Sequence, residues 1–120
     1  MASVLVVEDE AFTALALVDE LADLGHTVRD AMDGEAAIDV LADFTPDILI
    51  TDLMMPRMGG GDLIRHVRAR PGPAIPVVLI TGVPEAKLPI DIGYDAYLSK
   101  PIDHTALGLV ITRLVKLYEA

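Results

Sequence analysis

Apolar runs and helical stripes alternate along this chain with a regular order. Val4-Leu5-Val6-Val7 is a short, mostly β-branched run closed by Glu8-Asp9-Glu10, and behind it residues 11–24 set Leu17, Leu21 and Leu24 at helical spacing before Gly25. The pattern reads as strand, acidic loop and helix. It repeats as 27–31 then 34–41, as 48–51 then 60–69, and as 77–81 then a weaker helical stretch. Segments 96–99 and 103–118 complete five strand–helix units.

Strands that alternate with helices predict a parallel sheet, because parallel neighbours need a crossover and a helix is the usual one. Right-handed crossovers then put helices on both faces, giving an α/β, doubly wound, five-stranded architecture. The first, third and fourth strands are nearly continuous apolar runs, as expected for strands covered on both faces. Thr27-Val28-Arg29-Asp30-Ala31 is polar and suits an edge. With no linker, repeat or low-complexity tract, residues 1–120 read as one domain.

Composition narrows the class. Of 120 residues 52% are hydrophobic but only five are aromatic, so the core must be aliphatic. No long apolar run and no signal-peptide pattern is present, which predicts a cytoplasmic protein with no membrane attachment. Cysteine is absent, excluding disulfides and thiolate metal sites. The formal charge of −10 is uneven: residues 1–56 hold 13 acids against Arg29 alone, and residues 57–120 hold 6 acids and 8 bases. Such a surface repels a polyanion, so direct nucleic-acid binding is not expected.

The chemistry-bearing residues fall at one kind of place. Glu8 and Asp9 close the first run, Asp52 the third, Thr81 the fourth and Lys100 the fifth. Carboxyl ends of parallel strands share an edge, and ligands bind there where the strand order reverses. With the order 2-1-3-4-5, the first and third strands are neighbours and three carboxylates converge. They push one another's pKa upward unless a cation intervenes, and oxygen ligands suit Mg²⁺. Taken singly, Glu8-Asp9-Glu10 also fits a helix N-cap with first-turn acids, Thr81 a strand-end turn and Lys100 a solvated lysine. His26, His66 and His104 lack metal-ligand spacing and read as surface or capping residues.

Glu8-Asp9, the block Asp52-Leu53-Met54-Met55-Pro56-Arg57-Met58-Gly59-Gly60, Thr81, and Tyr97-Leu98-Ser99-Lys100-Pro101 stand in an order and spacing that resembles the receiver domain of response regulators in two-component systems. The likeness covers essentially the whole chain. It implies a flavodoxin-like fold in which Asp52 takes a phosphoryl group from a histidine kinase or histidine phosphotransfer protein. By the same resemblance Asp9, Asp52 and the Met54 backbone carbonyl would ligate Mg²⁺, with Glu8 acting through water. Thr81 and Lys100 would contact phosphoryl oxygens, Tyr97 would switch with Thr81, and Lys100-Pro101 would be cis. The plainer expectation for Tyr97 is packing on the last helix. Met55 and Met58 are expected to pack in the loop, and Gly60 to meet a positive φ. The module would catalyse only its own phosphorylation and dephosphorylation, turn over no separate substrate, and signal to a downstream protein without a fused output domain.

Three features mark this chain within that pattern. Pro84 and Pro89 stand where a fourth helix should run, so that helix is expected to be short or irregular. Met54 and Val83, two residues after Asp52 and Thr81, offer no polar group to orient water, which points to a long-lived acyl phosphate. On the first helix Phe12, Leu15 and Ala22, flanked by Val18, lie opposite the core stripe and form the expected kinase-docking face, framed by Asp19, Glu20 and Asp23. Rival readings fit less well. A Mg²⁺-dependent phosphatase with an aspartyl intermediate wants an aspartate where Met54 stands, and a flavodoxin-like cofactor binder wants a Ser/Thr/Gly loop where Glu8-Asp9-Glu10 stands. A phosphorylation-independent interaction domain would not need Asp52, Thr81 and Lys100 together.

Overall fold

The apolar runs of the sequence become neighbouring strands of one sheet. The computed structural model describes residues 1–89 and 91–119. Their order is β1 (Ser3–Val7), α1 (Ala11–Asp23), β2 (Thr27–Ala31), α2 (Gly34–Leu41), β3 (Ile48–Asp52), α3 (Gly60–Ala69), β4 (Val77–Thr81), a 3₁₀ turn (Glu85–Lys87), β5 (Ala96–Ser99) and α4 (His104–Glu119). All four strand pairs are parallel and the order is β2-β1-β3-β4-β5, as the pattern predicts. Every residue of β3 and β4 is buried, whereas β2 at the edge exposes Thr27, Arg29 and Asp30.

Alternate side chains of the central strands feed two aliphatic layers. Leu5, Val7, Leu49, Val77 and Leu79 meet Ala37 and Leu41 of α2 and Leu63, Ile64 and Val67 of α3. On the other face Val4, Val6, Ile48, Ile50, Val78 and Ile80 meet Leu17 and Leu21 of α1 and Leu107, Ile111 and Leu114 of α4. Each buried valine, leucine or isoleucine among these contributes roughly 1.5–3 kcal/mol relative to exposure. The strand ends, and with them the polar residues, are thereby fixed from both sides.

Two local expectations need correction. Leu24 continues the spacing of Leu17 and Leu21 in sequence, yet it is the C-cap of α1 and 59% exposed. Gly25, at φ 93°, turns the chain away there, and the third buried member of the α1 stripe is Ala14. Gly60 is not among the glycines with positive φ. A Cβ on Gly60 would sit 2.2 Å from the Asp52 carbonyl oxygen, so the position requires glycine for close approach.

Between β4 and β5 the expected irregular helix is one 3₁₀ turn, closed by the Lys87 N–H to the Pro84 carbonyl at 2.9 Å and the Leu88 N–H to Glu85 at 3.1 Å. An α-helix begun at Pro84 would bring the Pro89 ring against a carbonyl one turn back, without an N–H to donate. No helix among the described residues is long and apolar enough to cross a membrane.

Candidate functional site

Four strand ends, those of β1, β3, β4 and β5, and their following turns build the site, and each polar side chain owes its place to the strand beneath it. In register, Val7 lies opposite Thr51 of β3 and Asp52 lies opposite Ile80 of β4, while Thr81 lies opposite Ser99 of β5. The residues that follow β1 and end β3 therefore emerge side by side. Oxygen atoms of Glu8, Asp9 and Asp52 all lie within 4.8 Å of one another. Glu8 and Asp52 are buried and Asp9 is exposed, so the cluster opens to solvent on the Asp9 side. The donors are all oxygens, the set a hard dication takes.

Glu10, third in the acidic run, does something else. Its carboxylate caps α1, accepting the Phe12 N–H at 3.2 Å and the Thr13 N–H at 2.8 Å. Hydrogen bonds from the Thr13 hydroxyl and these amides hold its carboxyl below the usual range. Both readings left open by the sequence are thus present, on different residues: Glu10 is the cap and Glu8 with Asp9 belongs to the cluster.

Lys100 enters from the far side of the sheet. Its Nζ donates to Glu8 Oε1 at 2.6 Å and to Asp52 Oδ2 at 2.8 Å, bridging 92 and 48 residues of sequence. It follows β5, its N–H donates to the Thr81 carbonyl at 3.0 Å, and the next peptide, Lys100-Pro101, is cis. Burial pushes the Glu8 carboxyl above its ordinary range despite the hydrogen bond from Lys100. Asp52 and Glu8 together outweigh burial at Lys100 and raise its ammonium. Asp52 Oδ1 is further tied to the Leu53 N–H at 2.7 Å.

Thr81 and Tyr97 meet at one residue. The Thr81 hydroxyl accepts the Val83 N–H at 3.1 Å, and the Tyr97 hydroxyl donates to the Val83 carbonyl at 2.5 Å. Tyr97 is half-buried against the α2/α3 layer beside Tyr94, so it does not pack on the last helix. Among the docking candidates, Phe12 is 81% and Leu15 57% exposed, Ala22 is exposed and Val18 half-buried. Met54 is exposed, while Met55 and Met58 are half-buried against the core.

Sequence reasoning missed two residues bordering the site. Asp33 is buried, caps α2 and pairs with Arg57, whose φ is 63°. The only sequence signal was an Asp-Gly before a helical stripe, which names the cap and not the partner.

Comparison with known proteins places this arrangement. Residues 4–112 match the family described as response regulator receiver domain. The response regulator MprA of Mycolicibacterium vanbaalenii is 36% identical over 101 residues, covering 82% of this chain and 43% of that protein. The chain thus spans less than half the length of such curated relatives. The signal receiver domain of a signal transduction histidine kinase from Syntrophus aciditrophicus superimposes with a TM-score of 0.87 at 28% identity, over 97% of this chain and 91% of that one. The receiver domain of an HD domain-containing protein from Pseudomonas fluorescens Pf-5 gives 0.88 at 28% identity, over 98% and 88%.

Proposed function

The chain belongs to the response regulator receiver domain family, and from that premise we propose that it accepts a phosphoryl group on Asp52 from a phosphohistidine protein and passes the change to a downstream protein partner. The observation that carries the reading is the meeting of three carboxylates within 4.8 Å with Lys100 Nζ 2.8 Å from Asp52. It is a one-turnover acceptor in the cytoplasm, with no separate substrate.

A carboxylate oxygen of Asp52 attacks phosphorus as the phosphorus–nitrogen bond of the donor breaks, and the imidazole leaves with the electron pair and is then protonated. Phosphoryl transfer asks the protein mainly for positioning and charge neutralisation. The Leu53 N–H on Oδ1 and Lys100 on Oδ2 fix the carboxylate plane. Asp9, Asp52 and the Met54 carbonyl would hold Mg²⁺, with Glu8 behind them. When bound, Mg²⁺ supplies positive charge to the nucleophile and the phosphoryl oxygens together. Lys100 turns from Glu8 to a phosphoryl oxygen, and the Thr81 hydroxyl leaves the Val83 N–H for another. Val83 then loosens its hold on Tyr97, which couples the site to the 3₁₀ turn. Met54 and Val83 present no polar group to aim a water, so the acyl phosphate persists.

Docking falls to α1. Phe12 heads a groove of about 600 Å³ that also includes Thr13, Ala16, Lys100, Pro101 and Ile102, beside the acceptor site. Phe12 and Leu15 offer a helical kinase or phosphotransfer protein an apolar contact next to Asp52, and Asp19, Glu20 and Asp23 select a basic rim.

Incubation with acetyl phosphate, with and without Mg²⁺, tests the reading by intact-protein mass spectrometry over time. Wild type should gain one alkali-labile phosphoryl group only with Mg²⁺ and keep it through hours, and Asp52→Asn should gain none. An adduct of the same lability on Asp52→Asn, or labelling indifferent to Mg²⁺, contradicts it.

A further inference from the structure

The loop that follows Asp52 is anchored at both ends, and only one anchor belongs to the acceptor chemistry. At its near end the Gly60 N–H donates to the Leu53 carbonyl at 2.8 Å. At its far end the Met58 carbonyl accepts the Gly34 N–H at 3.0 Å, and a Cβ on Gly34 would strike the Met58 side chain at 2.5 Å. Beside that contact the Arg57 guanidinium pairs with Asp33 and lies 3.7 Å from Glu35. Asp33 is 1% exposed, and its other oxygen caps α2 by accepting the Ala36 N–H at 2.8 Å. The Ala36 amide, and after it the Arg57 guanidinium, holds this carboxyl below its usual range.

Arg57 makes the pair from φ 63°, the left-handed region that side chains with a Cβ enter at a cost. Such strain persists where surrounding contacts over-determine it, and it gathers at functional sites. Here the strained residue stands three positions after Met54, whose carbonyl is the one neutral oxygen assigned to the cation.

The geometry points to a positioning clasp: the pairing of Arg57 with Asp33 ties residues 53–59 to the start of α2 and thereby sets the Met54 carbonyl for the divalent cation. The inference rests on the Mg²⁺ reading above. Mg²⁺ demands near-octahedral geometry, so a loop ordered beforehand binds it without the entropy cost that a loose one incurs. Contacts behind metal ligands commonly change affinity about 10–100-fold.

Arg57→Gly separates a clasp from a merely stabilising pair, because it removes the guanidinium and relieves the positive φ at once. Arg57→Ala removes the guanidinium alone, and Arg57→Lys keeps the charge without the fork. Mg²⁺ titration followed by amide NMR should show the dissociation constant of Arg57→Gly weakened about tenfold, with Arg57→Lys recovering part of it. Hydrogen exchange of the metal-free protein should quicken at residues 53–59 and stay unchanged in β3 and β4. Wild-type Mg²⁺ affinity in both Arg57→Gly and Arg57→Ala overturns the clasp and leaves the metal reading standing. Faster exchange throughout the sheet in both variants assigns the pair to fold stability and also overturns it. A wild type that takes up no Mg²⁺ sinks the metal reading, and the clasp with it.

Discussion

At the scale of single residues, the site is a set of charges held together against their own preference. Glu8 is buried beside Asp52, and Lys100 stands between them in the place a cation would share. Burial outweighs the Lys100 hydrogen bond, so the folded-state pKa of Glu8 lies above its unfolded value. A group shifted upward adds stability that is fully present below the unfolded pKa and is lost as pH rises through the folded one. Ionised Glu8 is therefore a burden that grows as pH rises through the raised pKa and falls away on acidification. Glu8→Gln resembles the protonated side chain and should remove that dependence. The melting temperature of metal-free Glu8→Gln relative to wild type should be higher at pH 8 than at pH 5. A difference that runs the other way would mean that Lys100, rather than burial, governs the Glu8 carboxyl. Lys100 itself is raised by Asp52 and Glu8, so its contribution is present below the usual lysine range and is lost only on going more alkaline.

At the scale of elements, α1 has two apolar faces and only one is used inside the fold. Ala14, Leu17 and Leu21 are buried, while Phe12 and Leu15 stand exposed in the turns next to the acceptor edge. Leu15→Asp should slow phosphotransfer from the cognate kinase by tenfold or more, about the 1.4 kcal/mol of one apolar interface contact, and leave acetyl-phosphate labelling and melting temperature unchanged. Equal loss with both donors would place Leu15 in the chemistry or the core. The strands were legible because 4–7, 48–50 and 77–80 are unbroken apolar runs of the kind a doubly covered sheet uses. The convergence of Glu8, Asp9 and Asp52 followed once strand order was assumed, since each stands at a carboxyl end, whereas the role of Lys100 came from the motif resemblance. What escaped was non-local. Gly60 owes its identity to the Asp52 carbonyl rather than to its own dihedrals. Arg57 and Asp33 are 24 residues apart and meet only when the loop after β3 lies on the start of α2. Leu24 obeys the helical period, but Gly25 ends the helix before the period can bury it. The prolines at 84 and 89 announced a broken crossover, whereas the landing of Tyr97 on the α2/α3 face depended on the pleat of β5.

At the scale of the whole molecule, an excess of ten negative charges makes any cation stabilising to some degree, so general screening and specific binding have to be told apart. Thirteen of the acids lie in residues 1–56, and three of them converge within 4.8 Å at the sheet edge. Screening acts on the full set and follows ionic strength, whichever salt supplies it. A bound Mg²⁺ acts on the three alone and follows mass action, worth about 2.7 kcal/mol when free ion exceeds the dissociation constant a hundredfold. For a domain of this size that amounts to a rise of roughly 10 °C or more in melting temperature. Wild type should therefore melt higher in MgCl₂ than in NaCl of equal ionic strength. Asp9→Asn removes one exposed carboxylate of the cluster, and with it one repelling charge. In NaCl it should melt at or slightly above wild type, because the remaining carboxylates repel less. In MgCl₂ it should lose the extra rise while keeping the rise that NaCl gives. Should Asp9→Asn respond to the two salts as wild type does, the cation acts on the diffuse acidic surface and the cluster of Glu8, Asp9 and Asp52 is not its site.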